Sequence, residues 1–334
     1  MVDGQYRPGL MPRRPPILTH ALVIGLAVVA CAAPVAAPSP PEATGLERTD
    51  LTVGTLPIVD AAPIHLALRE GYFADEGLTV TVELVQGGAA AIPALIAGDL
   101  QVAYGAWPSF LRANAAGLDL RAIADGTRAR PGFSQLLALP GSELEGNPAG
   151  MAGATIAVNT LGNIGELAIR ATLVRAGLGP DAAELVEIGF PDMVAALERG
   201  DVDVIWASEP VATLARDAVG AVLVADTYVD EMAGFPVAGY QASTEFVADH
   251  PRAIDAFRRA LERAVADIAA DPTVVADLVP SFTGLDAGLA SRVAMPEFRA
   301  GLVVADLERV QEQMLDLGLL DAPLDLDALV HRGG

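Results

Sequence analysis

Hydrophobic and polar positions follow the same pattern twice along the chain. Residues 94–108 read ALIAGDLQVAYGAWP, residues 196–210 read ALERGDVDVIWASEP, and the two segments align without gaps. Each starts at the end of a helical pattern, passes a Gly-Asp pair, continues as a short apolar strand with one aromatic residue, and ends at a proline. Agreement of this kind predicts an internal duplication.

The flanking segments extend the repeat. A strand-like segment at 51–55 precedes a helical LALR at 66–69, and a strand-like segment at 155–158 precedes LAIR at 167–170. Short apolar strands that alternate with amphipathic helices are typical of βαβ units and parallel sheets. Ligands of such sheets bind beyond the carboxyl ends of the strands. We therefore expect the loops after the strands of both halves to form one binding site.

Two further strand-like segments, 133–139 and 234–242, predict that the chain leaves the first half and later returns to it. We predict a two-lobed α/β fold with parallel-rich sheets, flanking helices and two hinge crossings. Lobe 1 comprises residues 51–138 and 240–330, and lobe 2 comprises residues 139–239. Apolar residues at helical spacing predict a core-facing helix in the C-terminal part: Ile254, Phe257, Leu261, Val265 and Ile268.

The first 31 residues have the three-part layout of a secretory signal. Arg7, Arg13 and Arg14 precede an apolar stretch at 21–30, which is about 10 residues and so too short to span a bilayer, for which about 20 are needed. The junction VVAC at 28–31 is typical of a bacterial lipobox, whereas the alternative is an ordinary signal peptide. We predict a signal peptide at 1–30, a lipid on Cys31, a Pro/Ala-rich tether at 31–50, and attachment to the outer face of the cytoplasmic membrane.

Composition excludes several classes of function. The formal net charge of −22 disfavours nucleic acid and anionic lipid as partners. The chain has no lysine, and Cys31 is its only cysteine, so Schiff-base chemistry, thiol nucleophiles and cysteine zinc sites are excluded. His65, His250 and His331 are too scattered for a helical metal motif. We predict a protein that is not an enzyme and that has no cofactor and no metal.

A set of short motifs carries a resemblance to a known family. They are PIHLA at 63–67, EGYF at 70–73, EGLTV at 76–80, the two Gly-Asp segments, the WASEP loop at 206–210, and the helix start after Gly162 and Asn163. In combination, the chain resembles the substrate-binding proteins of the sulfonate, nitrate and thiamine-pyrimidine group that serve ABC importers. The resemblance implies the type II periplasmic-binding-protein fold. It also implies a monomeric, hinged protein that captures a small molecule between its lobes and delivers it to a permease and its ATPase.

The resemblance also implies which residues hold the ligand. In lobe 1 they are Asp60, His65, Gly88, Trp107 and Ser109; in lobe 2 they are Thr160, Gly162, Asn163, Asp192, Trp206 and Glu209; Phe235 lies on the return crossing.

Three aromatic residues allow two interpretations each. Trp107 lies in a predicted turn and either stacks on the ligand or packs locally. Trp206 ends an apolar strand and belongs either to the cleft wall or to the core. Phe235, between glycine and proline, either walls the cleft or braces the hinge.

The charged candidates leave the ligand open. Asp60 and Glu209 would accept hydrogen bonds from amino groups or ring N–H groups if they face the cleft, and otherwise they are solvated loop carboxylates. Asn163 begins a helix, which either attracts an anion or is simply capped. Arg128 and Arg130 could meet a sulfonate. We favour a neutral or amine-bearing nitrogen heterocycle, such as the thiamine pyrimidine, over a sulfonate, nitrate or taurine.

Two other functions are compatible with the same fold. One is an enzyme related to the pyrimidine synthases, which the absence of lysine disfavours. The other is a sensory binding module of a signalling system.

Overall fold

The duplicated segments fold into the same unit in each half of the protein. The computed structural model describes residues 45–333, which lie in one compact unit of residues 43–334. The strands are β1 (Asp50–Thr55), β2 (Thr79–Leu84), β3 (Val102–Ala106), β4 (Leu120–Arg128), β5 (Ser134–Ala138), β6 (Thr155–Val158), β7 (Glu184–Glu187), β8 (Val204–Ser208), β9 (Val222–Asp226), β10 (Pro236–Ser243) and β11 (Glu297–Phe298).

The helices lie on the faces and at the ends of these strands. They are α1 (Ala62–Arg69), α2 (Tyr72–Asp75), α3 (Gly88–Ala97), α4 (Trp107–Ala115), α5 (Ile164–Arg175), α6 (Phe190–Arg199), α7 (Val211–Val219), α8 (Thr244–Asp249), α9 (Pro251–Ala270), α10 (Thr273–Leu278), α11 (Pro280–Thr283), α12 (Ala287–Ala290), α13 (Val304–Asp316) and α14 (Leu326–Leu329).

The strands form two sheets with corresponding strand orders. The first sheet has the order β11-β4-β10-β3-β1-β2, and the second has the order β7-β6-β8-β5-β9. In each sheet three strands pair in parallel. A strand that enters from the other half of the chain pairs antiparallel with one of them: β10 with β3 in the first sheet, and β5 with β8 in the second. Apart from β11, the second sheet repeats the first strand for strand, as expected of a duplication.

The chain changes sheet at two places. It passes from the first sheet to the second between β4 and β5, over residues 129–133, and it returns between β9 and β10, over residues 227–235. The lobe boundaries predicted from the sequence, after residues 138 and 239, fall at the far end of β5 and inside β10. Strands β5 and β10 belong to the new sheet over their whole length, because their backbone N–H and C=O groups pair with the neighbouring strands along the full ladder.

Helix α9 buries the apolar face that its sequence predicts. Ile254, Phe257, Leu261 and Ile268 are buried, and Val265 is half-buried. Each such side chain contributes about 1.5–3 kcal/mol through the apolar surface that it removes from water. The predicted core-facing helix is confirmed.

An arginine from each half of the molecule holds the second crossing. Arg175 of α5 donates a hydrogen bond to the carbonyl oxygen of Asp226 at 3.1 Å and pairs with Glu231 at 3.1 Å. Arg309 of α13 donates to the carbonyl oxygens of Glu231, at 2.6 Å, and of Gly234, at 3.1 Å. The crossing is thus tied to elements on both sides of the cleft.

The predicted membrane attachment falls on a part of the chain that the structure does not cover. The predicted signal peptide at 1–30, Cys31 and residues 31–44 of the tether lie outside the described residues. Among residues 45–333, no helix combines the length and the apolar character needed to cross a bilayer.

Candidate ligand-binding site between the two sheets

A cavity of about 30 Å³ lies between the two sheets, where their parallel strands end. On the first-sheet side it is lined by Leu56, Ile58, Asp60, Gly88, Tyr104, Ala106, Val237 and Ala238; on the second-sheet side it is lined by Asn159, Asn163, Ile164, Phe190, Trp206 and Ser208. This volume holds about two water molecules. The lobes are therefore closed more tightly here than they would be around an organic ligand.

Hydrogen bonds join the two halves around this cavity. The backbone N–H of Val59 donates to the carbonyl oxygen of Glu209 at 3.2 Å. The side-chain amide of Asn159 donates to the carbonyl oxygen of Gln86 at 3.5 Å. Both bonds connect a loop of the first half to a loop of the second, so they form only when the cleft is shut.

Asp60 is the acidic residue of the cavity. It follows β1 in a single turn of 3-10 helix and is 2% exposed. Its Oδ2 accepts hydrogen bonds from the hydroxyls of Tyr104 and Thr127, both at 3.0 Å. Its Oδ1 has no hydrogen-bond partner among the described residues. Burial raises the pKa of Asp60 to about 6, although the two hydroxyl donors act in the opposite direction.

Three tyrosines surround Asp60. Burial, together with the nearby Asp60 carboxylate, raises the pKa values of Tyr104, Tyr228 and Tyr240 above their usual range. The rings of Tyr104 and Tyr240 pack edge to face with centroids 5.2 Å apart. The surroundings of Asp60 therefore offer hydroxyl groups and aromatic edges.

Trp206 forms the aromatic wall of the cavity on the second-sheet side. Its ring lies 6.0 Å from that of Phe190 at an angle of 32°, and its Nε1 has no hydrogen-bond partner among residues 45–333. Helix α5 approaches the indole at Gly165, where a Cβ would lie 2.8 Å from Cε3. Trp206 and Tyr104 occupy equivalent positions in the duplicated segments and line the cavity from opposite sides.

A carboxylate lies beside the start of α5 and binds the loop that precedes it. Asn163 stands immediately before α5, but its side chain donates to Thr160 Oγ1 at 2.9 Å and makes no cap. Glu166 instead accepts from the backbone N–H of Gly162 at 2.7 Å. The side-chain oxygens of Asn159 and Asn163 have no hydrogen-bond partner within the described part of the chain.

Among the described residues, no lysine, arginine or histidine lines the cavity. Arg128, which the sequence suggested as an anion ligand, pairs with Asp306. Arg130 lines a separate groove of about 280 Å³, together with Pro272 and Met295. The cavity therefore presents one carboxyl group and no counter-charge.

The structure brings together four of the twelve residues predicted to bind the ligand: Asp60, Gly88, Asn163 and Trp206. The others lie outside this cavity: His65, Trp107, Ser109, Thr160, Gly162, Asp192, Glu209 and Phe235. Whether any of the twelve contacts a ligand stays a prediction.

Trp107 lies in the core of the first half and not in a turn. It is the first residue of α4 and is fully buried, with its ring 5.8 Å from that of Phe110 at an angle of 77°. The indole lies on the backbone of β10 at Gly239, where a Cβ would overlap it. No pattern along the chain indicates that a glycine from a distant strand makes room for the ring.

Two predicted polar residues have structural partners. His65 stacks on Phe282 with ring centroids 4.1 Å apart, and burial lowers its pKa to about 4. The Glu209 carboxylate accepts from the backbone N–H groups of Thr213, at 3.1 Å, and of Ala294, at 3.3 Å. Burial raises the pKa of Glu209. Neither residue is a solvated loop side chain.

The remaining predicted residues are also placed by local contacts. Ser109 donates from Oγ to the carbonyl oxygen of Ala106 at 2.8 Å. Asp192 is exposed on α6. Phe235 is buried under the guanidinium of Arg309, 5.2 Å from the ring centroid, so it packs at the second crossing.

Several lining residues were not among the twelve: Leu56, Ile58, Tyr104, Ala106, Asn159, Ile164, Phe190, Ser208, Val237 and Ala238. Most of them end a parallel strand or begin the helix after it, so the rule that ligands bind beyond strand ends would have found them. Within residues 45–333, no group of three or more His, Cys, Asp or Glu side chains is placed to hold a metal ion.

Comparisons with known proteins cover most of the chain. Residues 59–274 match the family model described as NMT1/THI5 like. The riboflavin-binding protein RibY of Chloroflexus aurantiacus is 27% identical over 346 residues, which cover 93% of this chain and 95% of RibY.

Solved structures share the fold at lower identity. The alkanesulfonate-binding protein SsuA of Xanthomonas axonopodis pv. citri, bound to MOPS, matches with a TM-score of 0.74 and 17% identity over 85% of this chain and 98% of SsuA. The periplasmic nitrate-binding protein NrtA of Synechocystis PCC 6803 matches with a TM-score of 0.74 and 14% identity over 86% of this chain and 87% of NrtA. The two-lobed α/β fold predicted from the sequence is confirmed.

Proposed function

The chain belongs to the NMT1/THI5-like family, as its motifs predicted, and from that premise we propose that it is the solute-binding protein of an ABC importer. It captures a small nitrogen heterocycle, uncharged or amine-bearing, between its two lobes and delivers it to a permease. The protein acts as an exported monomer, held at the outer face of the cytoplasmic membrane by a lipid on Cys31.

The composition of the cavity lining carries the choice of ligand. The described lining residues include the carboxyl group of Asp60 and no basic side chain. An anion would meet this carboxylate at short range in a medium of low dielectric constant, where repulsion between like charges is strong. A sulfonate or nitrate is therefore disfavoured, and a ligand with N–H groups is favoured.

The helix start at α5 adds to the case against an anion. The backbone N–H groups at such a start attract anions. Here the Glu166 carboxylate accepts from Gly162 N at 2.7 Å, and the Glu187 carboxylate accepts from Leu161 N at 2.9 Å. Carboxylates thus occupy two backbone donors of the loop before α5, and their negative charge disfavours an anion at this helix start.

The names of similar proteins support the same class of ligand. RibY is named for riboflavin, an uncharged ring system with an imide N–H, whereas SsuA and NrtA are named for anions. Because the cavity lacks basic side chains among the described residues, riboflavin is the ligand of the three that best suits it.

Closure of the lobes provides the signal to the permease. A ligand that contacts both halves binds the closed form better than the open form and so shifts the equilibrium towards closure. The hydrogen bonds from Val59 to Glu209 and from Asn159 to Gln86 then stabilise the closed form. We infer no catalytic step, since the chain has no lysine for the chemistry of the related synthases.

A thermal-shift screen tests the proposed ligand class. Riboflavin or an aminopyrimidine at 100 times its Kd should stabilise the purified protein by about 2.7 kcal/mol, since a ligand that binds only the folded state adds RT ln(1 + [L]/Kd). For a domain of this size, that corresponds to a rise in Tm of roughly 5 °C. Sulfonates and nitrate serve as matched anionic probes. A rise with an anion and none with any heterocycle would contradict the proposal.

Replacing Cys31 with serine tests the lipid anchor. Two or more acyl chains hold a protein stably on a membrane, and serine provides no thiol for their attachment. We expect C31S to move from the membrane fraction to the soluble fraction after cell lysis, with ligand affinity unchanged. Mass spectrometry of the wild-type N-terminal peptide provides the control. Equal membrane attachment of both proteins would show that Cys31 is not the anchor.

A further inference from the structure

Four of the lining residues carry a buried polar atom without a partner among the described residues: Asp60, Asn159, Asn163 and Trp206. Two of these atoms belong to residues on opposite sides of the cavity, and one can only accept a hydrogen bond while the other can only donate one. They are Oδ1 of Asp60, in the first half, and Nε1 of Trp206, in the second half. Both residues are 2% exposed, and neither atom has a hydrogen-bond partner among the described residues. Buried polar groups almost always have a partner, so two unpaired groups at one cavity call for a common cause.

The two atoms have opposite hydrogen-bonding character. A carboxylate oxygen only accepts, and the indole N–H only donates. Oδ1 of Asp60 is held in place because Oδ2 of the same group accepts from Tyr104 and Thr127, both at 3.0 Å. Trp206 is held by close contact with Gly165 and by Phe190, whose ring lies 6.0 Å away. Both groups are therefore positioned before any ligand arrives.

We propose that Asp60 and Trp206 determine specificity by reading one ligand from two sides: Asp60 Oδ1 accepts from a ligand N–H, and Trp206 Nε1 donates to a ligand carbonyl oxygen or ring nitrogen. This inference rests on the proposed function. It narrows the ligand to a planar heterocycle that carries both a donor and an acceptor, as an imide or an aminopyrimidine does. The ring lies along the wall formed by Trp206 and Phe190.

Substituting Asp60 by asparagine should replace the hydrogen-bond acceptor that faces the ligand with a donor. The amide oxygen takes the place of Oδ2, because Tyr104 and Thr127 donate there. The amide NH₂ group then takes the place of Oδ1 and turns a donor towards the ligand N–H. Two facing donors repel, so D60N loses a charge-assisted hydrogen bond and gains an unfavourable contact.

The experiment measures affinity by isothermal titration calorimetry with riboflavin and with riboflavin methylated at its imide nitrogen. D60N should bind riboflavin roughly 10- to 100-fold more weakly than wild type, as expected for a lost hydrogen bond to a charged group. Wild type should likewise discriminate against the methylated compound, and D60N should discriminate much less. W206F keeps an aromatic wall without the N–H and should lose roughly 3- to 10-fold.

Asp125 provides a matched control. It is 1% exposed, its pKa is also raised to about 6 by burial, and it does not line the cavity. D125N should bind riboflavin as wild type does. An aminopyrimidine and its N-methylated form replace the riboflavin pair if the thermal-shift screen selects that class.

The outcomes separate the two proposals. If neither riboflavin nor an aminopyrimidine binds wild type, the proposed heterocycle is wrong. If a heterocycle binds but wild type tolerates its N-methylated form, the Asp60 assignment is overturned while the proposed function stands. The methylated ligand needs no mutation, so this result does not depend on how D60N folds.

Discussion

Replacing Trp107 with alanine should lower the free energy of unfolding by about 3–5 kcal/mol, which is typical of the loss of a fully buried tryptophan. The indole is 0% exposed, packs against Phe110 and lies on the backbone of Gly239. Its removal leaves a cavity that the rigid strands β3 and β10 cannot close. Chemical denaturation of wild type and W107A, monitored by circular dichroism, measures the difference.

W107F separates this structural role from ligand stacking, which the sequence predicted for Trp107. Phenylalanine keeps most of the packing and removes an indole N–H that has no partner among the described residues, so W107F should cost less stability than W107A. Its affinity for the ligand should match that of wild type. A tenfold loss of affinity in W107F at unchanged stability would instead place Trp107 at the ligand.

Raising the pH from about 3 to about 7 should cost the protein about 3 kcal/mol of stability through Asp60 alone. The pKa of Asp60 is about 6 in the folded protein and 3.8 in the reference state for the unfolded chain. Each pKa unit corresponds to about 1.4 kcal/mol. Below the unfolded value both states are protonated and no cost arises; between the two values only the unfolded state ionises, so stability falls as the pH rises.

D60N checks this linkage because its amide does not titrate. At pH 3 its free energy of unfolding should be close to that of wild type, and at pH 7 it should exceed that of wild type by up to about 3 kcal/mol. Asp125, whose pKa is also raised to about 6, leaves a residual slope in D60N. Denaturant titrations of both proteins across this range measure the difference. A D60N protein that is less stable than wild type at pH 7 would show that the Asp60 carboxylate does not destabilise the folded protein.

The two properties of Asp60 belong together. A group that destabilises the folded protein at neutral pH, yet lies at a cavity with one free oxygen, is typical of a functional site that trades stability for binding. D60N is therefore expected to be more stable and to bind more weakly at the same time. A D60N protein that is both less stable than wild type and weaker in ligand binding would indicate a purely structural role for Asp60.

The fold could be predicted because its signals are local and repeated. The pattern shared by 94–108 and 196–210 predicted the equivalent strands β3 and β8, and the apolar spacing from Ile254 to Ile268 predicted α9. The sheet that β5 and β10 join could not be read in the same way. An apolar strand pattern indicates that both faces of the strand are buried, but it does not indicate which neighbouring strands supply the hydrogen bonds.

The site was predictable only in part. Asp60 and Trp206 could be selected because the resemblance to the family implies that they hold the ligand. Trp107 has an equally suggestive position in the chain, yet it turns into the core because Gly239, far away in sequence, leaves room for the indole. Asn159 was not selected, although it follows β6 directly and lines the cavity.

By itself, the sequence determined the duplication, the two-lobed class of fold, the family and the exclusion of lysine and thiol chemistry, because these depend on residue type and short-range pattern. Only the tertiary structure decided which side chains meet at the cavity, that no basic group among the described residues is one of them, and that Asp60 and Trp206 each keep an unpaired polar atom there. The reason is that burial, pKa and hydrogen-bond pairing depend on atoms that come together from distant parts of the chain. No pattern along the chain encodes those distances.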